Sequence, residues 1–206
     1  MNLKDKLKFI DSIPKATGKR PVTDQGRVDF SKYFDGEAQT TPFGECFVIT
    51  KEFARDHKHG SVSLDAIDEI DLELMALVGK DERLRSVQLE KILFFDTETT
   101  GLSSGVGTYI FLAGFGYFTE NGFVIKQYIL RDYNEELAFL YAINELFKQF
   151  TSIVSYNGKS FDWTLLETRF VFSRIELALN KPPHLDLVHT ARRIWRYRLT
   201  DCSLVN

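Results

Sequence analysis

Lys91-Ile92-Leu93-Phe94-Phe95-Asp96-Thr97-Glu98-Thr99-Thr100-Gly101-Leu102 is an apolar run that ends in two carboxylates two positions apart. The unbroken stretch Ile92 to Phe95 predicts a strand buried on both faces, hence a central strand in a sheet covered by helices. Side chains alternate along a strand, so Asp96 and Glu98 point the same way and converge. Two acids so placed repel each other and resist ionising unless a positive ion neutralises them, and a divalent cation is the natural occupant. The competing reading is an acidic turn capping the strand, but capping needs one acid and tolerates either spacing.

Working outward, Thr108 to Phe118 predicts a second strand, rich in aromatic and β-branched residues. Asn121-Gly122 then supplies a tight turn, and Phe123 to Leu130 returns antiparallel. Asn134 followed by Glu135 and Glu136 predicts a helix start, with Phe139, Ile143, Leu146, Phe147 and Phe150 on one face. Ser152 to Ser155 reads as a short strand, and Ser160 begins a helix running to about Leu179. After the break at Pro182-Pro183 comes Leu185 to Val188. The order β-β-β-α-β-α-β-α predicts an α/β fold, a mixed sheet flanked by helices.

Upstream of residue 91 the pattern is sparser. Residues 1–44 are polar with scattered glycine and proline and predict an irregular N-terminal arm. Residues 45–90 predict a small annex, with a strand at Glu45 to Thr50 and helical spacing at Ile67, Ile70, Leu74 and Leu77. His57 and His59 lie between these elements without the further ligands a metal site needs, which predicts an exposed turn.

The chain of 206 residues is 44% hydrophobic, enough to bury a core, and its net charge is −3. That balance argues mildly against bulk electrostatic grip on duplex backbone, but the charge is segregated. Asp65 to Glu73 holds five acids in nine residues, whereas 181–200 holds Lys181, Arg192, Arg193, Arg196 and Arg198 against Asp186. The arginines suit either a solvated helix face or phosphate contact. The two cysteines, Cys46 and Cys202, stand in no metal-type spacing, and Met1 to Ile10 lacks the apolar core of a signal peptide, so a cytoplasmic location without membrane attachment is expected.

A second motif, Tyr156-Asn157-Gly158-Lys159-Ser160-Phe161-Asp162, follows the strand at 152–155. A glycine turn leading into a helix puts Asp162 at the carboxyl edge of the sheet, where Asp96 also emerges if the two strands are parallel. Alone, Asp162 reads as a first-turn acid facing the helix dipole; combined with Asp96 and Glu98 it reads as part of a site. Gly105-Val106-Gly107 does not make a nucleotide loop, since Ile110 stands at the third glycine position and no P-loop lysine follows.

Asp96-Thr97-Glu98-Thr99-Thr100-Gly101-Leu102 resembles the first motif of the DEDD 3′-5′ exonucleases, and Asn157-Gly158-Lys159-Ser160-Phe161-Asp162 resembles their second. Over residues 40–206 the chain is most similar to the YprB-type ribonuclease H-like domain. The resemblance implies a ribonuclease H-like fold in which four acids hold two divalent ions, Mg2+ or Mn2+, and nucleotides are removed from the 3′ end of single-stranded DNA or RNA. It further implies that Asp96 bridges both ions, Glu98 ligates the ion that activates water, and Asp162 completes the other. Thr99 and Leu102 correspond to positions that touch the terminal nucleotide, while Asn157 orients the loop or a phosphate, or stabilises the turn. Two ions about 3.5–4 Å apart suit in-line attack on a phosphodiester, and all-oxygen ligands select hard cations over zinc.

The family pattern also carries a late aspartate with a His or Tyr four or five residues before it. Tyr197 and Asp201 have that spacing but follow Pro182-Pro183 too closely for the helices that should intervene. The fourth ligand and the water-positioning residue are therefore expected to be absent or to lie beyond residue 206, with residues 91–206 an incomplete domain. The alternative to an exonuclease is a non-catalytic nucleic-acid-binding module or an inactive fragment.

Overall fold

Apolar alternation and short turns give this chain one large sheet. The computed structural model describes residues 29–101, 107–198 and 201–203. The strands are β1 (Glu37–Thr41), β2 (Gly44–Ala54), β3 (Lys58–His59), β4 (Val62–Ser63), β5 (Ile92–Thr99), β6 (Ile110–Thr119), β7 (Gly122–Ile129), β8 (Ser152–Ser155) and β9 (His184–Asp186). The α-helices are α1 (Leu72–Gly79), α2 (Glu136–Phe147), α3 (Asp162–Phe172) and α4 (Leu187–Trp195). Seven strands form a mixed sheet in the order β1-β2-β7-β6-β5-β8-β9, and β3-β4 is a separate two-stranded hairpin. The strands β5, β8 and β9 are parallel to one another, and the remaining pairs are antiparallel. This is the expected α/β architecture, a mixed sheet flanked by helices.

Helices cover the two faces with separate cores. Leu93, Phe95, Phe115, Ile153 and Tyr128 pack with Phe139, Ile143 and Phe147 of α2 and with Trp163, Leu166 and Phe170 of α3. Each such side chain contributes about 1.5–3 kcal/mol by leaving water. On the other face Ile92, Val154 and Leu185 pack with Met75 and Ala76 of α1 and with Leu84 and Val87.

Several boundaries differ from expectation. Strand β1 lies inside the stretch read as an irregular arm, and β2 starts at Gly44 and runs on to Ala54, paired with β7, so residues 37–54 belong to the main sheet. The polar sequence of β1 hides this, because it is an outermost strand held by backbone pairing, with only Thr41 buried. Across the helical spacing of Ile67, Ile70, Leu74 and Leu77 the chain is not one helix: a 3-10 turn spans Leu64–Glu69, and α1 starts afresh because Asp71 accepts from Glu73 N and Leu74 N. Its buried side chains are Met75 and Ala76, whereas Leu77 stands 69% exposed. Likewise Asp132, not Asn134, caps the turn ahead of α2, accepting from Asn134 N.

Two further corrections fall near the site. Helix α3 ends at Phe172 instead of about Leu179, and Arg174 takes a left-handed φ of 55°. Beyond it Ile175, Leu177 and Leu179 pack on the core without being helical, bracketed by the buried Asn144, whose amide donates to Glu176 O at 2.9 Å and accepts from Ala178 N at 2.8 Å. The strand expected at 185–188 stops at Asp186, which accepts from Val188 N at 3.1 Å and so starts α4. Glycine at 122 is set by a close approach, because a Cβ there would lie 2.0 Å from Phe53 O on β2. Among the described residues no helix is long and apolar enough to cross a membrane.

Candidate active site

Strand alternation decides where the acids point. Ile92 and Phe94 face the α1 side and Leu93 and Phe95 the α2/α3 side, so Asp96 and Glu98 continue the first set and Thr97 the second. Asp96 and Glu98 are both open to solvent, and the ladder with β6 shifts register just after Glu98. Because β5 and β8 are parallel, with Phe95 opposite Ser155, the chain leaving β8 emerges at the same edge as Asp96.

That chain is the loop of the second motif. Asn157 takes a left-handed φ of 67°, and Asp186 of β9 accepts from Asn157 N at 2.7 Å and Lys159 N at 2.9 Å. Gly158 is buried, and a Cβ there would meet Ser155 Cβ at 2.9 Å and Asp162 Oδ2 at 3.3 Å, so only glycine lets the loop pass this close. Trp163 N donates to Gly158 O at 2.9 Å, which starts α3 with Asp162 in its first turn and 9% exposed. The Thr97 hydroxyl donates to the Asp162 carboxylate, so the two motifs meet through a residue that the sequence reading passed over.

All three acids are pushed toward the protonated form. Burial raises Asp96, with the Thr97 backbone N–H opposing. Burial raises Glu98, and the charge of Asp96 adds to it. For Asp162 burial is the largest cause, the Thr97 hydroxyl works against it, and Asp96 and Glu98 push it up further. Each therefore lies within electrostatic reach of another.

The remaining predicted residues are placed as follows. The Thr99 hydroxyl donates to Gly101 O at 2.8 Å, which ties it to its own turn. Leu102 lies outside the described residues. Asn157 is exposed, and its backbone is what the loop uses. Tyr197 is 93% exposed beside Arg196, and Asp201 accepts from Ser203 N at 2.8 Å. His59 sits on the exposed β3-β4 hairpin. Buried His184, bonded to Ser155 Oγ at 2.8 Å, and buried Asp186 support the loop from β9.

Among the described residues no three of His, Cys, Asp or Glu gather closely enough to hold a metal ion. Asp162 has turned one oxygen to Thr97. The chemistry of the donors nevertheless fits a hard divalent cation. All three are carboxylates, each disfavoured as an anion by burial, and two are disfavoured again by a neighbour's charge.

Comparison with known proteins supplies the lineage. Residues 36% identical over a 163-residue stretch relate this chain to the uncharacterized protein YprB of Bacillus subtilis (strain 168), covering 77% of this chain and 39% of that protein. The chain thus spans about two fifths of the length of that relative. The RNase_H superfamily matches residues 93–206, more than half of the chain and the stretch that carries β5 to α4. On that match, and with the mixed sheet and flanking helices in place, the chain belongs to the RNase_H superfamily.

Proposed function

We propose that the chain carries the acidic site of a metal-dependent 3′-5′ exonuclease acting on single-stranded DNA or RNA. The observation that supports this reading is that Asp96 and Glu98 leave β5 at the sheet edge where Asp162 starts α3, with Asp162 bonded to β5 through Thr97 and each acid shifted toward protonation. Membership of a superfamily whose members are typically nucleases supports the same reaction class.

Asp96, Glu98 and Asp162 would hold two hard cations, Mg2+ or Mn2+. Bound there, such ions supply activation of water and charge stabilisation at the phosphodiester. Asp162 is positioned by its helix start and by Thr97, and Asp96 and Glu98 by the rigid central strand. Thr99 and Leu102 would flank the terminal nucleotide, and Asn157 would shape the loop beside it.

The test is degradation of an end-labelled single strand with Mg2+ or Mn2+. Stepwise shortening from the 3′ end that Asp96→Asn abolishes is the expected result; shortening unaffected by Asp96→Asn would sink the assignment. A second reading is favoured by the lack of a three-acid group among the described residues. On that reading the chain binds nucleic acid without cutting it, and binding would persist in EDTA, weaken steeply with salt and never lead to shortening.

A further inference from the structure

Beside the acid edge, between the end of α1 and helix α4, lies a cavity of about 360 Å³ whose wall includes Lys80, Lys159, His189, Arg192 and Arg193. A chain with a net charge of −3 has gathered four fixed cations here. Two of them make bonds to neutral carbonyls: Lys159 Nζ donates to His184 O at 3.2 Å, and the Arg193 guanidinium donates to His189 O at 3.0 Å and to Val78 O. Among the described residues, none of the four has a carboxylate within ion-pair distance. The acid in the wall, Asp186, is held by the backbone N–H groups of Asn157, Lys159 and Val188, and its charge offsets one of the four. Asp81, whose titration feels Lys159, is already paired with Arg83 at 2.7 Å. A net positive charge is therefore left for an anion from outside.

The cavity's place in the sheet says which anion. Ser155 is in register with Phe95 on one side and Asp186 on the other, so Asp96 stands just past the level of Asp186, two strands away. Two strand spacings are about 10 Å. Asp96 and Glu98 lie on the face of the sheet that α1 covers, and Lys80 follows directly on α1. At about 3.4 Å per stacked nucleotide, a strand ending at the acids reaches the cavity about three nucleotides from its terminus.

We propose that this cavity is a phosphate site that holds the backbone of a single strand about three nucleotides from the end presented to the acids, a role that rests on the exonuclease reading. Ammonium and guanidinium groups contact phosphate without reading bases, so the site sets register and grip, not sequence preference.

The experiment is fluorescence anisotropy of a labelled single-stranded oligonucleotide in EDTA, titrated across salt. Arg192→Ala removes an exposed charge. Lys80→Gly removes another and suits the left-handed φ of 55° at that position, so its effect is not one of unfolding. Each variant is expected to bind roughly tenfold more weakly, with a salt slope lower by about one and an unchanged melting temperature; Arg192→Lys restores most of the loss. Wild-type affinity and slope in both variants would overturn the proposal, as would a wild type that binds no strand. Inorganic phosphate and a nucleoside monophosphate are the competing ligands; displacement of the strand by either at its own concentration would also overturn it, by making the site one for free phosphate. Failure of the exonuclease reading shows separately, as strand binding that depends on Arg192 and Lys80 while Mg2+ or Mn2+ brings no shortening.

Discussion

Strands β5 and β9 run parallel and each delivers an aspartate to the same edge of the sheet, yet the two acids do opposite things. Asp186 is buried and accepts three backbone N–H groups, two from the loop ahead of α3 and one from α4. Its carboxylate serves to hold chain segments together. Asp96 is only partly exposed, and the chain packed around it withdraws enough water to raise it against the help of one neighbouring N–H. An aspartate at a strand end is thus a strut or, under the proposed function, a metal ligand according to how many donors the neighbouring chain brings to it.

The sharpest way to break this contrast is to neutralise each acid in turn. Under the proposed function Asp96→Asn should lower the shortening rate about a thousandfold or more while leaving the melting temperature level or higher, since the anion is disfavoured where it stands. Gel assay and calorimetry on one preparation read both. Asp186→Ala should do the reverse in kind: a loss of about 4 kcal/mol in denaturant unfolding, because three donors lose their acceptor together. An Asp186→Ala protein of wild-type stability would end the comparison.

The strut has a pH dependence of its own. His184 is 4% exposed, and burial first, then the charge of Lys159, lowers it from 6.5 to about 4, with Asp186 opposing and His189 adding slightly. As pH falls the unfolded chain takes up this proton first, so stability should drop by about 2–3 kcal/mol between pH 6.5 and 4 and level off below. Asp96, Glu98 and Asp162, shifted upward, tilt stability the other way in an overlapping range. The readout is therefore the difference between wild type and His184→Gln, whose slope with pH should fall to zero above pH 6.5 and leave a constant offset. A smaller effect is expected at the hinge between the two acids. Gly158→Ala brings a Cβ to 2.9 Å from Ser155 Cβ and 3.3 Å from Asp162 Oδ2, which should cost about 1–2 kcal/mol and lower activity more than stability requires.

Much of the fold was legible before any coordinates. The apolar run of β5, the β6-β7 hairpin and the α2 periodicity each follow from a local pattern, and the mixed sheet follows from their order. What escaped had no local pattern to show. The polar strand β1 is made by pairing with β2. Residues 173–179 carry helical spacing but end as an irregular segment, because Asn144 offers them a donor and an acceptor that a helix would not use. The stripe Ile70, Leu74, Leu77 reads as a core face and is exposed, since α1 turns Met75 and Ala76 to the sheet instead.

By itself, then, the sequence determined that Asp96 and Glu98 share a face, because strand alternation is a property of the backbone alone, and that a glycine turn would start a helix at Asp162. Only the tertiary structure decided that Thr97 is the residue through which Asp162 meets β5, which backbone donors Asp186 holds, and that four cations from three separate segments line one cavity. The reason is distance along the chain. The donors that engage Asp186 lie up to 29 residues away, and the carbonyl that Arg193 reaches lies 115 residues away, so no local pattern carries those contacts.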